Sequence, residues 1–364
     1  MPRVFMGNFD FEAGLARPGN PPGRETVRRN AELSFAWLSV ARAGDVIVLD
    51  DALDSGAPDR LARLGRTGVR FLPASDVGAG ELIPWGWNAD VLRWSARRAV
   101  DAAHPPLEIV ALANSRAWSQ ELETAWGCGL PGQRICAAAS EVEMAAAACE
   151  RWLVKAMYSA SGRERISGQG GPLSLAQRRW VETRLHRDGR VCVEPVVERI
   201  DEAGLQWDIP RADEGPPRLV GVARLNVDER GQFEASQFTA VAGPAAARLE
   251  AAWSEAIETT RKAATQLQRQ GYFGPLGIDA MRWRDPAGGV RIRPLQDVNA
   301  RWTMGRLALG WRDLLKSGER GTLRQVRAGG TAAVAAEGVA LPLSPHRLGG
   351  TPVLHALRLE LPDR

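Results

Sequence analysis

Lys155 sits in the apolar run WLVKAM (152–157), and it is one of only three lysines, with Lys262 and Lys316, among 47 basic residues. In a chain that otherwise uses arginine, a lysine inside an apolar strand asks for a chemical reason. The stretch after it, YSASGRERISGQGG (158–171), is rich in Ser and Gly. An ammonium at a strand end, beside a loop with free backbone N–H groups, can meet phosphate oxygens. The plainer alternative is a strand-edge lysine reaching water, followed by an ordinary glycine loop. Neither GxxxxGK[ST] nor a GxGxxG after the first strand occurs, so the commoner phosphate loops are excluded.

A second group lies late in the chain. Asp279 stands in GIDAM, and Asp297 and Asn299 stand in LQDVN. Strand side chains repeat every two residues, so Asp297 and Asn299 share a face and Arg301 continues it. Asp279 falls on the preceding strand, across the turn RDPAGG (284–289), where Asp-Pro and the glycine pair favour a hairpin. Two carboxylates and an amide oxygen on one face suit Mg²⁺, a hard cation that takes oxygen ligands and substrate phosphates. A solvated strand face is the ordinary reading, but Ile278, Met281, Ile292, Leu295 and Val298 put this hairpin on a core. The third group centres on Glu194 in VCVEPVVERIDE. A carboxylate in an apolar strand needs a partner, and it could orient an adenine amino group or a ribose hydroxyl. Glu198, Asp201 and Glu202 are alternatives.

The elements around these residues change along the chain. In the first third, 3–7, 46–49, 69–72 and 107–112 read as strands, with helices over 25–43, 59–66 and 88–103. Loops are expected at 18–23 and 78–88. That alternation predicts a parallel sheet with helices on its faces. In the middle, 115–126 reads as helix. Ser140 with Glu143 predicts a capped helix through Glu150, and Ser174 with Gln177 another to about His186. Strands follow at 191–197, 203–207, 219–227 and 232–240, then a long helix over 244–270. The hairpin strands 275–283 and 290–301, a helix at 305–316 and a late strand at 352–361 complete the reading.

The order of the three groups resembles the ATP-grasp superfamily of carboxylate–amine ligases. GNFDFE at the start and NARWTMG after the hairpin are similar to the subgroup holding the peptide ligase of pheganomycin biosynthesis. The resemblance spans about 113–316. It implies an α/β and α+β architecture: an ATP-grasp fold preceded by a Rossmann-like pre-ATP-grasp domain. The implied divisions are 1–113, a lid subdomain at 114–190, a metal-bearing subdomain at 191–325 and a tail at 326–364. It implies ATP and Mg²⁺ as cofactors and amino-acid or peptide substrates joined through an acyl phosphate. Lys155, Arg116, Ser161, Gly162, Glu194, Val197 and Asp201 would bind the nucleotide, with Arg224 a further phosphate or substrate contact. Asp279, Asp297 and Asn299 would hold the metal, and Arg301 and Lys155 would act in catalysis. The chain departs from the pattern in three places: Asp297 stands where Glu is usual, Arg116 where Lys is usual, and the loop reads SGRERISG.

Composition limits the rest. The sequence is 45% hydrophobic and 25% charged, values of an ordinary globular protein rather than a disordered one. A net charge of +4 is too small and too evenly spread to argue for nucleic acid. No apolar run is long enough to span a membrane, and MPRVFMGNFDFE has no secretory pattern, so a cytoplasmic location is expected. Cys128, Cys136, Cys149 and Cys192 show neither a disulfide framework nor CxxC spacing and read as apolar fillers. The four histidines show no ligand spacing. Substrate identity and oligomeric state have no motif to announce them.

Overall fold

Four short strands near the N-terminus form the parallel sheet that the alternation predicts: β1 (Arg3–Met6), β2 (Val46–Val48), β3 (Arg70–Leu72) and β4 (Glu81–Pro84), in the order β3-β2-β1-β4. Helices α1 (Phe11–Ala16), α2 (Arg24–Leu33), α3 (Ala57–Arg63) and α4 (Ala89–Ala96) accompany it. The computed structural model describes residues 1–98, 100–159, 164–228, 231–327 and 338–363. The fourth strand comes from 81–84, inside a stretch read as loop, and the run 107–112 read as strand is instead helix α5 (Leu107–Ala113). A short apolar run cannot be assigned by periodicity alone. Here Pro105 and Pro106 precede the run, which suits a helix start, and Val110 and Ala113 form its buried face.

The middle of the chain begins with α6 (Arg116–Trp126), whose N-cap Ser115 accepts from the Ala117 N–H. A second sheet, antiparallel in the order β5-β8-β6-β7, comprises β5 (Arg134–Cys136), β6 (Arg151–Ala156), β7 (Arg165–Gln169) and β8 (Val191–Pro195). Helices α7 (Ala139–Ala147) and α8 (Leu175–Asp188) pack with it around Trp152, Val154, Val181 and Val193. The Ser174–Gln177 capping box forms as expected. The Ser140–Glu143 box does not: α7 starts earlier, and Glu141 accepts the Ala137 and Ala138 N–H groups.

The largest sheet has eight strands, all paired antiparallel. They are β9 (Glu198–Ile209), β10 (Arg218–Val227), β11 (Phe233–Thr239), β12 (Gly274–Arg284), β13 (Val290–Asn299), β14 (Arg320–Arg327), β15 (Val339–Pro342) and β18 (His355–Leu361), in the order β13-β12-β9-β10-β11-β14-β18-β15. The pair β16 (Arg347–Leu348) and β17 (Thr351–Pro352) stands apart. The single helix read over 244–270 is two, α9 (Pro244–Ala252) and α10 (Ser254–Arg269), meeting at buried Trp253. The helix read at 305–316 is α11 (Met304–Leu309) followed by a 3-10 turn at Arg312–Leu314. No helix of the described residues is long and apolar enough to cross a membrane. The four cysteines are free, and burial pushes the Cys128 and Cys136 thiols up to about 11.

In the second sheet Gly168 lies opposite Trp152, and a Cβ there would come within 2.2 Å of the indole. Gly168→Ala is therefore expected to displace Trp152 and to cost about 1–3 kcal/mol through overpacking. A lower midpoint in urea unfolding followed by tryptophan fluorescence checks it; an unchanged midpoint contradicts it.

Candidate active site

Alternation along β12 and β13 builds the floor of the site. Asp279 pairs in register with Asp297, and Gly277 with Asn299. The Asn299 Nδ2 donates to Asp279 Oδ2 at 3.3 Å. Further along β13, Pro294 has no N–H to give the ladder, and the register slips between Asp279 and Met281. From β9 the same face presents Glu202, Gly204 and Gln206, opposite Met281, Asp279 and Gly277. Gln296 donates to Glu202 Oε1 at 2.8 Å, and Arg199 pairs with the same oxygen at 3.2 Å.

The opposite wall comes from β6 and α6. Alternation in β6 sends Trp152 and Val154 to the helices and leaves Lys155 on the other face. The Lys155 Nζ lies 2.5 Å from Glu194 Oε2. Glu194 also takes Arg293 at 3.0 Å, and Arg293 makes a paired contact with Glu123 at 2.7 and 2.9 Å. Glu123, Glu194 and Arg293 are 0%, 3% and 2% exposed. Burial alone would raise the Glu194 carboxyl, but Arg293 and Lys155 hold it well below the usual carboxylate range. Arg116 donates to the Ala156 carbonyl at 3.1 Å and to Asp297 Oδ2 at 3.2 Å, so it joins the two walls.

Arg301 is fixed from three sides. It donates to Asn299 Oδ1 at 2.8 Å and to the Trp302 carbonyl at 2.8 Å, and it pairs with Glu12 of α1. Its guanidinium lies 5.1 Å from the Trp85 ring centroid. Lys155, Arg116, Asp279, Asp297, Asn299 and Arg301 thus line one cleft of about 220 Å³. Its far end is apolar, with Phe9, Leu33 and Trp85.

The other sequence-derived candidates lie elsewhere. Asp201 is on the reverse face of β9, paired with Arg282 and Arg224; a one-residue difference in a strand inverts the face, and Glu202 takes the cleft position instead. Arg224 goes to the reverse face with it. Val197 packs against Leu130, Met281 and Trp283. Ser161 and Gly162 lie outside the described residues. Glu12, Glu123 and Arg293 escaped the sequence reading, and Glu202 entered it only as an alternative to Glu194. A charged residue inside an apolar strand is the signal that would have found Arg293; Glu12 and Glu123 carry none.

The donors fit a hard divalent cation. Asp279, half-buried, has its carboxyl pushed up to about 8 by burial and by the Asp297 and Glu202 charges, as happens where like charges share a site. Among the described residues, no three His, Cys, Asp or Glu side chains form a metal-holding group. Two carboxylates and an amide would need oxygens from a bound molecule to complete a shell, as is usual for Mg²⁺ beside phosphates.

No protein-family model matches the sequence, and no curated protein matches it either. Solved structures do resemble it. Biotin carboxylase from Campylobacter jejuni aligns over 100% of this chain and 88% of its own, at 12% identity and a TM-score of 0.55. The biotin carboxylase domain of 2-oxoglutarate carboxylase from Hydrogenobacter thermophilus, solved with MgADP, ADP and bicarbonate, aligns over 99% and 86%, at 12% identity and 0.55. N5-carboxyaminoimidazole ribonucleotide synthetase from Thermus thermophilus aligns over 100% and 94%, at 14% identity and 0.52. These likenesses span nearly the whole of each chain and, at such identities, speak to the fold: this protein has the ATP-grasp fold, preceded by a Rossmann-like α/β unit.

Proposed function

We propose that the protein is an ATP- and Mg²⁺-dependent ligase that joins a carboxylate to an amine, the amine being an amino acid or peptide. The observation that carries this reading is one cleft shared by Lys155, Arg116, Asp279, Asp297 and Asn299. One structural neighbour solved with MgADP, ADP and bicarbonate adds support. Lys155 and Arg116 would hold the phosphates as cationic donors. Asp279, Asp297 and Asn299 would hold Mg²⁺, which when bound offsets charge on transferring phosphoryl oxygens. An oxygen of the substrate carboxylate attacks the γ-phosphorus and ADP departs, leaving an acyl phosphate. The amine nitrogen then attacks the acyl carbon, inorganic phosphate leaves and the nitrogen loses a proton. Arg301, held by Glu12 and Asn299, would stabilise the oxyanion of that second step.

A second reading is a grasp-fold protein that binds ATP without turnover. The Arg116–Asp297 ion pair favours it, because it engages one proposed metal ligand with a cation. Incubation with ATP, Mg²⁺ and pools of amino acids or short peptides separates the two: substrate-dependent ADP release is expected for the ligase, and binding without turnover across all pools supports the other. With an active pool, Asp297→Asn is expected to lower kcat/KM by about 10²–10³-fold. Turnover at the unaltered rate in that variant rules out the metal assignment.

Asp279 adds a pH dependence. Its carboxyl is raised from 3.8 to about 8 in the folded chain. A carboxyl raised on folding contributes stability that is complete below its unfolded value and is lost as pH climbs through its folded value. The metal-free protein should thus lose stability between pH 4 and about 8 through this group, and Mg²⁺ with ATP should restore more of it at alkaline than at neutral pH. Thermal midpoints with and without Mg²⁺–ATP at pH 7 and 9 measure this. The pH difference should vanish in Asp279→Asn; its persistence there would assign it to another group.

A further inference from the structure

The reverse face of the large sheet carries a second charged pocket, of about 150 Å³, between the sheet and α9. Four guanidinium groups line it: Arg224 from β10, Arg282 from β12, Arg248 from α9 and Arg320 from β14. Strand register brings the sheet members together. Asp201 lies opposite Arg282, Arg224 lies opposite Gln237, and Thr239 lies opposite Arg320. Asp201 takes Arg282 Nε at 2.7 Å and Arg224 Nη2 at 2.8 Å, which offsets part of two of the four charges. Arg248 and Arg320 are exposed and have no hydrogen bond or ion pair among the described residues. Among the described residues no carboxylate lines the pocket, and the Gln237 amide adds a further polar group.

Convergence of four cations on one carboxylate is unfavourable unless an anion completes it. The walls sharpen the effect. Ala245, Leu249 and Ala252 present one side of α9, and the buried Trp253 indole lies under Arg282, 5.2 Å from ring centroid to guanidinium carbon. Apolar walls weaken screening, and the planar arginine fork matches phosphoryl and carboxylate oxygens in pairs. We propose that this pocket binds a small, multiply charged oxyanion, a phosphoryl compound or a dicarboxylate, independently of the ATP-grasp cleft. The two sites lie on opposite faces of the same strands: Glu202 and Asp279 face the cleft, and Asp201 and Arg282 face the pocket. Both can therefore be filled at once.

The test uses the full chain and pyrophosphate, inorganic phosphate and malonate as probes, each against sodium chloride at equal ionic strength. Affinity is read by calorimetry and by the shift in thermal midpoint. The double variant Arg248→Met/Arg320→Met removes two exposed, unpaired side chains, so it should fold as the parent does. It is expected to weaken the tightest probe by about tenfold or more, and Lys155→Met, in the other cleft, should leave that affinity in place. Stronger binding of the phosphates than of malonate identifies a phosphoryl ligand; the reverse identifies a dicarboxylate. Binding that survives the double variant but is lost in Lys155→Met belongs to the ATP-grasp cleft and overturns the proposal. So does the absence of any effect beyond chloride.

Discussion

The structure depends most on a buried guanidinium. Arg293 lies between Glu123 and Glu194, and Glu194 passes the contact on to Lys155. These groups come from α6, β8, β6 and β13, so one chain of charges ties the second sheet to the strand that carries Asp297 and Asn299. Ions taken out of water are tolerated only when their partners are close and their hydrogen bonds are complete. Arg293 meets that demand with two carboxylates, and Glu194 meets it with two cations. The Lys155 ammonium is thus positioned through Glu194 by the whole chain of charges.

The period-two alternation of strands does the remaining sorting. On β9 the neighbours Asp201 and Glu202 serve opposite faces, one among arginines and one beside Asp279. On β12 the same rule separates Asp279 from Arg282. A single sheet can thus concentrate acidic groups on one surface and basic groups on the other, because the backbone alone keeps them apart. The slip at Pro294 serves the same sorting, since it falls between Arg293, which meets the ion network, and Asp297, which pairs with Asp279.

Much of this was legible in the sequence, and the parts that were not share a cause. Lys155, Asp279, Asp297, Asn299 and Arg301 stood out because each is polar within a run of apolar, strand-forming residues, and local spacing was enough to put them on common faces. The Ser174 cap was legible for the same reason, being a signal contained within four residues. Asp201 was misplaced because the exact start of a long strand sets which of two adjacent acids faces inward. The run 107–112 was misread because its apolar residues suit a buried strand or a buried helix equally. Glu12 and Arg301 are 289 residues apart, and Glu123 and Arg293 are 170 apart. Pairings at such separations leave no trace in neighbouring residues.

The anchoring of Arg301 bears on how the chain could be divided. Its partners Glu12 and Trp85 both precede residue 113, while Arg116, Lys155 and the acidic groups that line the cleft follow it. Cutting the polypeptide there would keep Arg116, Lys155 and the acidic groups together and release Arg301 from the apolar end formed by Phe9, Leu33 and Trp85. The two portions are not interchangeable modules. An N-terminal unit borrowed from another protein would have to bring its own acid and aromatic ring at matching positions before the hybrid could orient that arginine.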